Sequence, residues 1–139
     1  MSEPRLDASQ RAVLTRLADV LIAEGHGMPS ASAVDVAGSL IDRCLDAAPV
    51  LAAPLGALLE EGAPEAPEGF ARRLAATRPD DFAVLSTAVV GSYYLSGEVR
   101  RLIGYPGQQP SPVSVAGEPD YLDMLERVYE RYPGYREAP

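Results

Sequence analysis

The 139-residue sequence contains no lysine, no asparagine and no tryptophan, and has one histidine, His26, and one cysteine, Cys44. Without lysine there is neither a Schiff-base amine nor the ammonium of a phosphate-binding loop. A single histidine and a single cysteine fall short of the ligand set of an ordinary zinc site. One cysteine makes no intrachain disulfide. The opening stretch MSEPRLDASQRAVL lacks the apolar core of a secretory signal, and the arginine pairs Arg72-Arg73 and Arg100-Arg101 lie too far along the chain to form a twin-arginine signal. The expected compartment is therefore the cytoplasm. Alternating apolar–polar runs are also missing; PVSVAG is the only strand candidate, and it is short.

What is present describes an ordinary globular chain. With 47% hydrophobic and 23% charged residues it is too apolar for a disordered protein and too mixed for a membrane protein. A chain of this length folds as one domain over residues 1–139 and buries about 70% of its unfolded surface without a disulfide or metal. The net charge of −8, with arginine as the only strong cation, argues against a nucleic-acid partner and against docking on anionic membranes.

Apolar spacing predicts a first helix over about 7–24, with Leu14, Leu17 and Leu21 on one stripe, Asp7 or Ser9 as its cap and Gly25 as its left-handed terminator. A second helix runs through Val34, Leu40, Ile41 and Leu45, and a third over about 49–61, where Pro54 marks a first turn or a kink. GAPEAPEG reads as a break, followed by a short helix carrying Phe70, Ala71 and Leu74. The segment from Asp80 to Gly104 is the centre of the fold. It has no charge between Asp81 and Glu98, and it is apolar or small all round, as a helix with neighbours on several sides must be. A Pro/Gly-rich loop over 104–119, long for a small domain, precedes a last amphipathic helix over about 120–132 with Leu122, Leu125, Val128 and Tyr129 on one face. Residues 1–6 and 133–139 are expected to fray. The predicted architecture is all-α, a single compact helical domain of about five or six helices.

Few side chains offer catalysis. His26 reads as a loop histidine with Glu24 its only nearby acid, and Cys44 as a small buried apolar residue. The acids Asp42, Asp46, Asp120, Asp123, Glu126 and Glu130 lack both the Glu-x-x-His repeat of a di-metal bundle and the spacing of a calcium loop, so they read as solvated faces. The expectation is no catalytic, metal or cofactor-binding residue in this chain. The tyrosines are the anomaly: all seven follow residue 92. Tyr93 and Tyr129 are expected to face the core, whereas Tyr105, Tyr132 and Tyr135 sit in Pro/Gly-rich segments that look like docking surface. With Arg100 and Arg101 they make a Tyr/Arg patch of the kind that dominates protein interfaces.

The block YYLSGEVRRLIGYPGQ, residues 93–108, resembles the signature of the small third-subunit family of gluconate 2-dehydrogenase, and LTRLADVLIAEGHGMPSASAVDVAGSLID is similar to that family's first helices. The resemblance spans about residues 10–108. It implies a non-catalytic accessory subunit that binds and stabilises a large FAD-dependent oxidoreductase of the glucose–methanol–choline (GMC) class acting on sugars or other alcohols. Secreted members carry a twin-arginine signal and can be joined by a haem subunit. This chain lacks that signal and ends its first helix in Ala23-Glu24 rather than a proline, so the implied pairing is cytoplasmic, without a haem partner. On that reading the candidate docking residues of this chain are Tyr94, Arg100, Arg101, Tyr105, Pro106, Gly107, Gln108 and Tyr132. Two readings of Gly-Tyr-Pro-Gly stay open: a rigid docking turn, or a helix-terminating turn whose tyrosine folds back on its own domain. Two further classes are a helical module that binds a small apolar ligand, with Tyr93 and Tyr94 as polar lining, and an independent carboxylate enzyme.

Overall fold

In the computed structural model, residues 6–62, 66–110 and 121–131 are described. Among them the chain is all-α, as its spacing predicts, with helices α1 (Ala8–Leu21), α2 (Ile41–Ala47), α3 (Ala52–Glu60), α4 (Pro67–Thr77), α5 (Pro79–Leu95), α6 (Gly97–Leu102) and α7 (Leu122–Arg131). By its contacts the chain falls into two units, Met1–Gly107 and Gln108–Pro139. The first holds α1 to α6 and the second holds α7.

Helix α1 begins on a capping box. Asp7 Oδ1 accepts the Gln10 N–H at 2.8 Å, while Gln10 Oε1 accepts the Asp7 N–H at 2.9 Å. Leu14, Leu17 and Ala18 are buried along the predicted stripe. Leu6, placed by the sequence reading in a frayed terminus, is buried in the core. The helix stops at Leu21, short of the predicted 24. The left-handed residues that follow are His26 and Gly27, not Gly25. They form a tight turn closed by reciprocal backbone hydrogen bonds between Gly25 and Met28 at 3.1 and 2.9 Å.

The predicted second helix is interrupted. Asp35 adopts a left-handed conformation, an irregular wide turn covers Val36–Leu40, and regular helix starts only at Ile41. Gly38 is tightly confined there, since a Cβ at this position would stand 2.0 Å from Asp35 Oδ2. Arg11 of α1 stabilises the turn. Its Nε donates to the Leu6 carbonyl at 3.1 Å, and Nη1 donates to the carbonyls of Ala37 and Gly38 at 2.7 and 2.9 Å. Nη2 forks onto Asp42 Oδ1 and Oδ2 at 2.8 and 3.0 Å. Asp42, expected on a solvated face, is thus a structural partner.

Pro49–Leu51 forms a short 3-10 turn before α3, which places Pro54 in the first turn of that helix, where its missing N–H is harmless. Helix α5 packs against α1, α2, α3, α4 and α6, the central position expected of a helix with no charge in its middle. Leu85, Ala88, Val89, Ser92 and Tyr93 are buried on it. Ser92 Oγ donates to the Ala88 carbonyl at 2.7 Å, and Cys44 packs, buried, against the small surface of Gly91. Asp80 and Asp81 do not cap α5 as predicted; both lie in its first turn, and Asp81 pairs with Arg78. In the second unit α7 has no buried residue, and Tyr129, expected in a core, is 83% exposed. A ten-residue amphipathic helix buries its stripe only against another element, and that unit contributes no second one among the described residues.

Replacing Arg11 with methionine keeps the aliphatic stem and removes five donors to four residues. Stability should fall by about 2–3 kcal/mol, because carbonyls and a carboxylate lose a charged partner in a partly buried site. Urea unfolding checks this, and a loss below about 0.5 kcal/mol, the level of a neutral surface change, would refute the staple.

Acid should weaken the fold in a defined direction. Arg78 donates to both oxygens of Glu61 at 2.8 and 2.9 Å and holds its carboxyl below the ordinary 4.5. The Ser9 hydroxyl, followed by the Gln10 N–H, holds Asp7 below 3.8. A carboxyl with a depressed folded-state pKa stabilises the fold above its unfolded value, and that contribution is lost as pH falls through the folded value. Thermal unfolding temperature should thus decline on acidification below pH 4.5, and Glu61→Gln should make the decline shallower. An identical profile in the variant would contradict the assignment.

Candidate functional site

The central segment does not continue as one helix. At Ser96 the backbone opens to an extended conformation (ψ 126°), and Ser96 Oγ accepts the Val99 N–H at 3.4 Å as the cap of α6. Serine next to glycine favours a new start over continuation. Val99 is fully buried and anchors α6 to the core. The helical period then spreads the remaining residues over two other faces: Gly97, Arg100, Arg101 and Gly104 on one, Glu98 and Leu102 on another.

The end of α6 is a Schellman termination. The Tyr105 N–H donates to the Arg100 carbonyl at 2.8 Å and the Gly104 N–H to the Arg101 carbonyl at 3.1 Å, with Gly104 at φ 70°. This turn directs Tyr105 and Pro106 beside the helix face that carries the arginines. The result is an open depression of about 440 Å³ lined by Gly97, Arg100, Arg101, Gly104, Tyr105 and Pro106.

Four of the residues singled out by sequence are therefore brought together: Arg100, Arg101, Tyr105 and Pro106. Tyr105 is 49% exposed, so the turn terminates the helix while its ring stays accessible rather than folding into the core. Tyr94 is exposed near the end of α5, its ring edge-on to Tyr93 at 5.7 Å. Gly107 closes the first unit with φ 89°. Gln108 belongs to the second unit, and Tyr132 lies outside the described residues. Leu102 and Ile103 are two further half-exposed apolar side chains at the helix end. Their only signal is position: apolar residues in the last turn of a short helix lie beyond the reach of the core that holds Val99.

On the adjoining face of α6, Glu98 and Leu102 join the 24–29 loop around a second depression of about 620 Å³. Tyr93 ties that loop to α5 by donating its hydroxyl to the Pro29 carbonyl at 2.7 Å, and burial pushes its phenol pKa up. His26 is exposed in the turn.

The first depression offers hydrogen-bond donors beside an aromatic ring. Two guanidiniums supply planar, forked donors suited to carboxylates, and Tyr105 supplies a ring and a hydroxyl. Among the described residues no three His, Cys, Asp or Glu side chains converge as a metal site, and no helix is long and apolar enough to cross a membrane. No protein-family model matches the chain, and no curated protein or solved structure matches it either.

If the Schellman turn sets this geometry, Gly104→Ala should destabilise the protein by about 1–2 kcal/mol, the cost of forcing an L side chain into the left-handed region. Thermal melts report it; an unchanged midpoint would mean that the turn does not depend on glycine.

Proposed function

We propose that this chain is a non-catalytic accessory subunit that binds and stabilises an FAD-dependent GMC-type oxidoreductase acting on sugars or other alcohols, in the cytoplasm. One observation carries the reading. Arg100, Arg101, Tyr105 and Pro106, which belong to the block that resembles the gluconate 2-dehydrogenase small subunit, line one accessible depression at the end of α6. Arginine and tyrosine in a rigid frame are the residue types on which protein interfaces concentrate their energy. The frame is rigid because α6 is pinned by Val99 and the carbonyls of Val99, Arg100 and Arg101 are already bonded.

The proposed mechanism is mass action. A subunit that binds only the folded flavoprotein stabilises it by about 2.7 kcal/mol when present at a hundred times its dissociation constant. The flavin and the redox chemistry belong to the partner. The alternative, a small-ligand module lined by Tyr93 and Tyr94, is weakened because Tyr93 is buried with its hydroxyl already engaged by Pro29.

Co-expression with the GMC-type flavoprotein encoded nearest to this chain, followed by size-exclusion chromatography at the flavin wavelength, tests the pairing. The two should co-elute. Tyr105→Ala combined with Arg101→Ala should abolish co-elution while the melting temperature of the isolated chain stays nearly constant, because exposed substitutions cost within about 0.5 kcal/mol. Retained co-elution with a lowered melting temperature would assign these residues an internal role. Two separate peaks for the wild-type proteins would remove the reading.

A further inference from the structure

The charge around α6 specifies what kind of surface fits it. The chain carries a net charge of −8, and three other arginines of the first unit are matched by acids, Arg11 with Asp42, Arg72 with Glu68, and Arg78 with Glu61 and Asp81, whereas among the described residues Arg16 and Arg43 are not. Arg100 and Arg101 have no ion-pair partner among the described residues, and no carboxylate lines their depression. Two adjacent guanidiniums with no internal carboxylate leave their forked donors available to a partner.

The backbone narrows the chemistry further. A helix C-terminus ordinarily offers free carbonyl acceptors. Here the carbonyls of Val99, Arg100 and Arg101 are taken by the N–H groups of Ile103, Tyr105 and Gly104. With those three carbonyls taken, the side-chain donors of Arg100 and Arg101 are the strongest polar groups in the depression, and they select a ligand that supplies acceptors. In its lining the exposed Tyr105 and Pro106 add an apolar rim. A donor pair beside an apolar rim matches a polypeptide segment with Asp or Glu side chains next to an apolar residue. A polyphosphate chain has no apolar side chain and would leave that rim uncovered.

We infer that the surface docking at α6 is an acidic segment of the partner protein, whose carboxylates are received in forked hydrogen bonds by Arg100 and Arg101 while an apolar neighbour packs on Tyr105. The inference rests on the accessory-subunit reading and names the chemistry of its interface.

The test is the affinity for the co-expressed flavoprotein, measured by biolayer interferometry across about 0.05–0.5 M sodium chloride. Wild-type affinity should fall steadily with salt. Arg100→Gln with Arg101→Gln should weaken binding roughly tenfold or more at low salt and flatten the salt dependence. Arg100→Lys with Arg101→Lys should keep the salt dependence while losing part of the affinity, since lysine supplies charge without the fork. Tyr105→Ala should weaken binding about equally at every salt concentration. If the glutamine pair binds with wild-type affinity and slope while Tyr105→Ala weakens binding, the acidic segment is wrong and the docking reading survives. If the wild-type proteins do not bind at any salt, both fall together. Circular dichroism melts of each variant separate lost binding from lost folding.

Discussion

The guanidinium of Arg11 is the constraint on which the first half of the fold depends. It reaches from α1 to the backbone just ahead of that helix, to two carbonyls in the irregular turn, and to Asp42 at the start of α2. A turn with a left-handed residue at Asp35 and no regular hydrogen-bond ladder leaves carbonyls without helical partners. A planar cation with five donors satisfies several of them at once and fixes the angle at which α2 leaves the turn. With α2 in place, Ile41, Cys44 and Leu45 face α5, and the central helix acquires its wall.

The central helix in turn places the site. Its neutral middle lets it be packed on several sides, and its C-terminal end carries Tyr93, whose hydroxyl holds the 24–29 loop through Pro29. One residue beyond that helix, Ser96 breaks the direction of the chain and starts α6 on a fresh cap. Without this break, α6 would extend the axis of α5 instead of turning about its buried Val99. The arginines and Tyr105 gather at one depression because a six-residue helix is anchored at one point and closed by a left-handed glycine.

Much of this was legible in the residues. The leucine stripe of α1, the burial of Cys44 and the neutrality of α5 follow from periodicity and side-chain chemistry, and of the two places open to Pro54 it takes the first turn. The Arg/Tyr cluster around Gly-Tyr-Pro-Gly was visible as composition and local spacing, and most of its members do meet. The failures have a common cause. Asp42 looked like a solvated charge because its pairing with Arg11 crosses 31 residues of chain. The left-handed residue after α1 fell at His26 because loop closure between Gly25 and Met28 set the turn, whereas helix termination alone pointed to Gly25. Tyr129 looked internal because an amphipathic stripe announces that it has a partner without saying where that partner is.

The sequence by itself determined the helical class, the approximate position of most helices, and the concentration of tyrosine and arginine around residues 93–108. These are consequences of local period and composition, which act over a few residues. Only the tertiary structure decided that Arg11 is a staple, that the central segment divides at Ser96, and that two arginines and one tyrosine share an accessible depression at a helix end where the carbonyls of Val99, Arg100 and Arg101 are already occupied. Those outcomes depend on which distant groups compete for the same hydrogen bonds, and no local pattern encodes that competition.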